Sequence, residues 1–176
     1  MALPAALNGG AGRIVNSKGT GWNTLAAKGT WRPDGVLGAH IVDFGLQRDS
    51  YQLRTVENTT TNWINGAAGA RNQAFNGDTQ LLGLWAQDTW KIAPKWKAVL
   101  GARAERWSAS NGQTGNATTT VGHPERNETY VSPKAAVAYQ ANDLWVLKAS
   151  TGRAVRMPTV ACLLYTSDAA DDTPCV

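Results

Sequence analysis

The residues of this chain that could do chemistry fall into two sets. The first lies in two polar stretches, TVENTTTNWINGAAGARNQAFNGD at 55–78 and SASNGQTGNATTTVGHPERNE at 108–128. There Trp63, Arg71, Asn72, Phe75, His123 and Arg126 stand among Asn, Gly, Thr and Ser. Aromatic faces and guanidinium groups can grip planar or anionic small molecules, and capture sites are commonly built on exposed loops. The plainer alternative is exposed loop filling. The second set alternates with apolar neighbours: Lys28, Arg32, Asp43, Lys97, Arg103, Glu105, Lys134 and Lys148. These either line a path for an anion or touch a domain that fills the space beside them, or they form cross-strand ion pairs worth under about 1 kcal/mol each where wet. Arg153 breaks the alternation, which marks a bulge or a contact to such a domain.

Catalytic and metal chemistry has no visible constellation. His40 and His123 are the only histidines, on separate segments, with no HExxH pattern. No G-x-S-x-G nucleophile elbow and no phosphate-cradling GxxxxGK[ST] loop occurs, so neither an enzyme nor a cofactor is expected. Sequons at Asn58, Asn116 and Asn127 are what Asn- and Thr-rich loops produce by chance. A formal charge of +4 is too modest to imply nucleic acid.

What must position these residues is a set of strands. The 176 residues are 43% hydrophobic, but no apolar run is long enough for a transmembrane helix. The N-terminus lacks the basic-then-apolar order of a signal peptide, so either the chain is cytoplasmic or its true start lies upstream. Alternation predicts six strands, near 21–32, 37–54, 78–92, 95–108, 128–140 and 143–156, and no helical period competes. Tight links at Pro33 to Gly35, Ala93 to Lys95 and Ala141 to Asp143 alternate with the two long polar stretches. That order predicts an all-β, antiparallel up-and-down meander with its long loops at one end.

Successive strand side chains point to opposite faces, so parity sorts them. Trp96, Ala98, Leu100, Ala102 and Ala104 oppose Lys97, Val99, Gly101, Arg103 and Glu105. Val131, Pro133, Ala135, Val137 and Tyr139 oppose a polar set, and Leu25, Ala27, Gly29 and Trp31 do the same. A soluble sheet with one buried face would look alike. The tryptophans bear on the choice: the chain has 8 Trp against 2 Phe, and Trp suits a membrane-water interface. Trp31, Trp90, Trp96 and Trp145 lie beside the short turns on the apolar parity, as a girdle would. Trp22 to Trp31 and Trp96 to Trp107 are nine and eleven residues apart. At roughly 40° tilt these steps rise about 23–28 Å, close to the apolar band of a membrane barrel. Trp22 and Trp107 have the wrong parity for a second girdle unless a bulge intervenes. One face is therefore expected to meet lipid and the other a water-filled or plugged interior.

Three segments resemble the barrel of TonB-dependent outer-membrane receptors, importers of ferric siderophores, vitamin B12 and related scarce nutrients. WAQDTWKIAPKWKAVLGARAERW is similar to that family's strand, Pro turn and Leu-Gly-x-Arg-x-Glu strand; SPKAAVAYQ resembles the Ser-Pro-Lys strand after a long outer loop; KASTGRAVRMPTV resembles the strand ending in Arg-x-Pro-Thr. The resemblance spans residues 78–161 most closely and 13–77 more loosely. It implies a barrel of about 22 strands in the outer membrane of a Gram-negative bacterium, of which this chain is a fragment. It further implies outer-membrane lipid, the receptor's own plug domain, TonB and a small-molecule ligand such as a metal chelate as partners. No segment here resembles the plug, so the fragment is not expected to transport alone.

After Pro-Thr-Val-Ala the family pattern continues Glu-Leu-Tyr, whereas this chain reads CLLYTSDAADD from Cys162. Back-translated as TGT CTC TTA TAC ACA TCT, that stretch looks like a transposase-based sequencing adapter read as protein, so residues 162–176 are expected to be non-native. Both cysteines, Cys162 and Cys175, fall in it, and removing its three Asp raises the net charge from +4 to +7. The other readings that stay open are a soluble β-sandwich binding module and an outer-membrane barrel enzyme.

Overall fold

The structure, a computed structural model, describes residues 9–165. Its strands are β1 (Gly12–Asn16), β2 (Gly21–Trp31), β3 (His40–Thr60), β4 (Arg71–Ala93), β5 (Trp96–Gly115), β6 (Thr120–Gly122), β7 (Arg126–Gln140) and β8 (Val146–Gly152), followed by a short helix α1 (Val160–Tyr165). All eight strands join one antiparallel sheet. β1 and β2 form a single row, because both pair with β3, one against Val56 to Thr60 and the other against Val42 to Gln52. The row breaks where Thr20 donates its N–H to the Ser17 carbonyl at 3.0 Å and Gly19 takes a φ of 92°. β6 and β7 likewise share a row against β5. Each of the six rows lies beside its neighbour in sequence, so the chain is an all-β meander.

The strands are longer than alternation predicts. Most of the stretch expected as a loop at 55–78 is strand, with β3 running to Thr60 and β4 starting at Arg71. In the stretch 108–128, β5 runs to Gly115 and the connection to β6 is only 116–119. Composition misleads here because Thr and Asn suit exposed turns, yet Thr is also β-branched, and a ladder satisfies backbone groups whatever the side chains. Side chains reinforce these outer ribbons: the Thr20 hydroxyl donates to the Arg54 carbonyl at 2.8 Å. The expected regularity of short turns and long loops also gives way, since the link at 32–39 is longer than the tip at 116–119. At the other end, the strand expected at 143–156 covers only Val146–Gly152, and the chain leaves the sheet at Arg153.

Strands β3, β4 and β5 have 21, 23 and 20 residues. With a tilt of roughly 40° such strands rise about 50–60 Å, twice the height of a membrane's apolar band. Register gives one continuous face. Trp31, Val42, Asp88 and Leu100 share it along successive pairs, as do Ala27, Leu46, Leu84, Ala104 and Val131. No second layer covers it among the described residues: Leu25, Phe44, Leu84, Leu100 and Val131 are all exposed. A β-sandwich buries that face, so its exposure here counts against the sandwich. Among the described residues, β2 and β8 each pair on one side only, so the sheet does not close.

The opposite face carries the segment 153–165. Its Val160 and Leu164 are buried against β4 and β5, where a bulge sets Asn111 and Gly112 against the single residue Gly77. Asn111 accepts the left-handed conformation, with φ 54°, and its amide donates to Asp78 at 2.7 Å. Gly77 leaves room for Val160, because a Cβ there would meet the Val160 side chain at 2.6 Å and force it to shift.

Candidate functional site

The polar face is built by the odd positions of β3, β4 and β5 and the even positions of β2, β7 and β8, as the registers require. Lys28, Asp43, Lys97, Arg103, Glu105, Lys134 and Lys148 all lie on it; Arg32 follows β2 directly. At mid-height the charges pair. Lys28 Nζ lies 3.6 Å from Asp43, which also accepts a 2.6 Å bond from the Thr30 hydroxyl. The Lys28 ammonium sits 5.9 Å from the Trp85 ring, an additional attraction to the indole face. Arg103 Nε approaches Glu105 at 2.8 Å, at an angle outside hydrogen-bond geometry, and Glu105 is buried. These groups, with Ser132, Lys134 and Arg153, line a cavity of about 650 Å³. Arg153 is tied there by its own N–H, which donates to the Pro133 carbonyl at 3.0 Å.

Lys97, Lys134 and Lys148 make no ion pair among the described residues. Sequence reasoning missed two companions, Lys91 and Lys95, which line one cavity with Lys97 and Lys148 at the short-turn end. Parity with Trp85 and Gln87 would have found Lys91.

The six residues expected in outer loops sit at the long-loop end, but not as one site, and four are on strands. Arg71, Asn72 and Phe75 belong to β4 and Arg126 to β7. Arg71 clamps the 116–119 tip, donating Nε to the Asn116 carbonyl at 2.9 Å and Nη2 to the Thr119 carbonyl at 3.3 Å. Asn72 donates to Glu57 at 2.5 Å, and the same carboxylate accepts from Gln73 at 3.4 Å and from Arg13 at 2.8 Å. Burial raises the Glu57 pKa, but those hydrogen bonds and the Arg13 charge outweigh it, and the carboxyl lies below its ordinary value. Trp63 stands exposed in the 61–70 loop, over Gly12. Only His123 and Arg126 come together: they line a cavity of about 220 Å³ roofed by Val160 and Leu164. His123 Nε2 is 3.0 Å from the Thr114 hydroxyl, and Arg126 donates to Glu128 at 3.0 Å.

Trp31, Trp90 and Trp96 lie at the short-turn end on the apolar side, and Trp145 stands exposed in the turn just before β8. Two have aromatic company, Trp90 stacked on His40 at 5.5 Å and Trp96 tilted against Tyr139 at 4.5 Å. Trp22 and Trp107 lie on the polar face, with no register shift between β2 and β3 to turn Trp22 outward. Trp107 is only 2% exposed and lines a cavity together with Met157, Pro158 and Thr159. Among the described residues no group of three His, Cys, Asp or Glu is placed to hold a metal.

An open antiparallel meander with one uncovered apolar face, an opposite charged face and tryptophans at the turn end is the wall of a membrane barrel. A family model, TonB dependent receptor-like, beta-barrel, matches residues 4–174. The chain belongs to that family. Members of that family are outer-membrane transport receptors, and this sheet corresponds to part of their barrel domain. No curated protein and no solved structure matches the chain.

Proposed function

We propose that this chain is part of the barrel wall of a receptor that imports a ferric siderophore or a similar scarce-nutrient chelate across the outer membrane of a Gram-negative bacterium. The observation that carries the reading is the uncovered apolar face, bordered by Trp31, Trp90, Trp96 and Trp145, back to back with a charged face. In this reading the four tryptophans rest in the headgroup layer, and the barrel is a 22-stranded one, of about the size such transporters have. Lys28, Asp43, Arg103 and Glu105 line the interior, where a plug domain sits and TonB acts on it. Trp63, exposed in its loop, is the residue best suited to touch ligand at the outer end; Arg71 and Asn72 use their donors to hold the ribbons.

The isolated sheet leaves backbone groups of β2 and β8 unpaired, and each such group in hydrocarbon costs several kcal/mol. It is therefore expected to aggregate in detergent rather than run as a heat-modifiable species. Uptake tests the reading: cells producing the full-length receptor should accumulate a radiolabelled ferric chelate only when TonB is present. Failure across a panel of ferric and cobalamin-type ligands, or partition of the protein into the aqueous phase of Triton X-114, would sink it.

Residues 162–176 we read as translated adapter rather than receptor, on the codon pattern behind CLLYTS. The family match runs on to residue 174, through this segment. Residues 166–176 lie outside the described residues. Sequencing the source locus across Pro158 decides the matter, because an in-frame genomic continuation into CLLYTS would end this reading.

A further inference from the structure

The short-turn end of the polar face carries cations that have no ion-pair partner among the described residues. Lys91 of β4 is the direct register partner of Lys97 of β5. Lys97 in turn faces Ala138, and Ala138 faces Lys148. Three lysines thus occupy one cross-strand row four strands wide, about 14 Å from end to end at ordinary strand spacing. Lys95, in the adjoining turn, lines the same cavity of about 800 Å³. Among the described residues no Asp or Glu lines that cavity; the turn carboxylates Asp34 and Asp143 are not among its walls. None of the four lysines makes an ion pair among the described residues.

Like charges directly opposite on an antiparallel pair destabilise it. The same face at mid-height shows the usual remedy, with Lys28 set against Asp43 and Arg103 against Glu105. A row that keeps the repulsion and lacks the remedy is suited to a counterion from outside the sheet. Ammonium groups on flexible stems act as point charges and are common phosphate binders. We propose that Lys91, Lys97 and Lys148, with Lys95, form a binding site for a multivalent oxyanion of the phosphate class. Leu37, Trp96 and Val146 share the cavity wall, so the phosphate could belong to a lipid headgroup as well as to a soluble phosphate compound. The site rests on strand register, cavity lining and the lack of ion pairs among the described residues, and would stand if the import reading failed.

The test uses the full-length receptor in nonionic detergent at low ionic strength, titrated calorimetrically with pyrophosphate and inorganic phosphate. K97Q/K148Q should weaken binding at least about tenfold, whereas K18Q/R106Q, which removes equal charge elsewhere, should leave it nearly unchanged. Thermal midpoints give a second readout that a misfolded variant cannot imitate. Without anion, K97Q should melt higher than wild type, because Lys91 loses its like-charged partner. With pyrophosphate, wild type should rise and K97Q/K148Q should not. A parallel arm counts phosphatidylglycerol against phosphatidylcholine retained by wild type and variant; selective loss of phosphatidylglycerol from the variant, without pyrophosphate binding, assigns the headgroup as the source. The proposal is overturned if neither arm binds, if the control loses as much affinity as K97Q/K148Q, or if K97Q melts lower than wild type.

Discussion

The ring of Phe44 lies over Gly29 of the neighbouring strand, so close that a Cβ at position 29 would stand 2.7 Å from its Cζ. The two are register partners on the apolar face of β2 and β3. One residue on, Gly45 faces the other way, and a Cβ there would meet the Ala27 carbonyl oxygen at 2.6 Å and the Trp85 indole at 2.9 Å. The contrast predicts unequal costs. In Gly29→Ala the Phe44 ring can swing away at under about 1 kcal/mol, but in Gly45→Ala the obstacle is backbone, and the cost should be about 1–3 kcal/mol. Thermal midpoints of the full-length barrel, read as loss of the heat-modifiable band, should rank wild type, Gly29→Ala, Gly45→Ala from high to low; equal midpoints for the two variants would contradict the geometry.

Glu57 supplies a pH dependence. It lies on β3 fifteen residues beyond Val42, the residue opposite Trp31, a rise of about 38 Å at roughly 40° tilt and so outside an apolar band of about 25 Å. Its carboxyl is held below the ordinary 4.5, with burial opposing and Asn72, Gln73 and Arg13 prevailing. A depressed folded-state pKa means the stabilisation is complete above the unfolded value and fades as pH falls through the folded one. Amide exchange in β1 should therefore speed up on acidification below pH 4.5, relative to intrinsic rates, more in wild type than in Glu57→Gln. An acid response of the same size in the Gln variant would assign the effect elsewhere.

Arg71 is predicted to be a strut. Its two bonds to the Asn116 and Thr119 carbonyls hold the tip of the β5 to β6 connection. Arg71→Ala should remove about 1–3 kcal/mol of local stability and expose residues 116–119 to protease, leaving ligand affinity of the full-length receptor close to wild type. A large affinity loss with an unchanged digestion pattern would make Arg71 a ligand contact instead.

Two adjacent positions on β5 separate the faces. Leu100 is exposed on the apolar side, and Val99 points to the polar side. Leu100→Arg should cost about 2–4 kcal/mol if that side meets hydrocarbon at mid-depth, and Val99→Arg far less. Urea midpoints of the full-length barrel in lipid vesicles check this, and equal penalties would argue against a bilayer.

Much of this arrangement is legible in alternation. Parity places Leu100 and Val137 on one side and Lys97 and Lys134 on the other, and the register agrees residue by residue. The outer-ribbon strands are not legible, because a run such as Asn58, Thr59 and Thr60 has the composition of a turn, while the hydrogen bonds that make it a strand come from the β1 segment Gly12 to Ile14, far away in sequence. The lysine row is hidden for a related reason. Lys91, Lys97 and Lys148 are neighbours only once the β4 to β5 bulge and the β7 register are fixed, and neither is a local property. Parity sorts Trp107 away from a second girdle, but that it shares a cavity with Met157 to Thr159 follows from the path of the chain after β8, which no periodicity encodes.

The length of β3 and β4 has a mechanical consequence. Their ladder continues to Asn58 and Arg71, with β1 paired along the far side of β3 out to Thr60, so the 61–70 loop is the cap of a stiff multi-stranded mast rather than a slack tether. A single protease cut within the cap would leave two polypeptides clasped along the whole mast and travelling as one particle. The receptor could thus lose covalent continuity at its outermost point without coming apart, parting into two bands only when boiled.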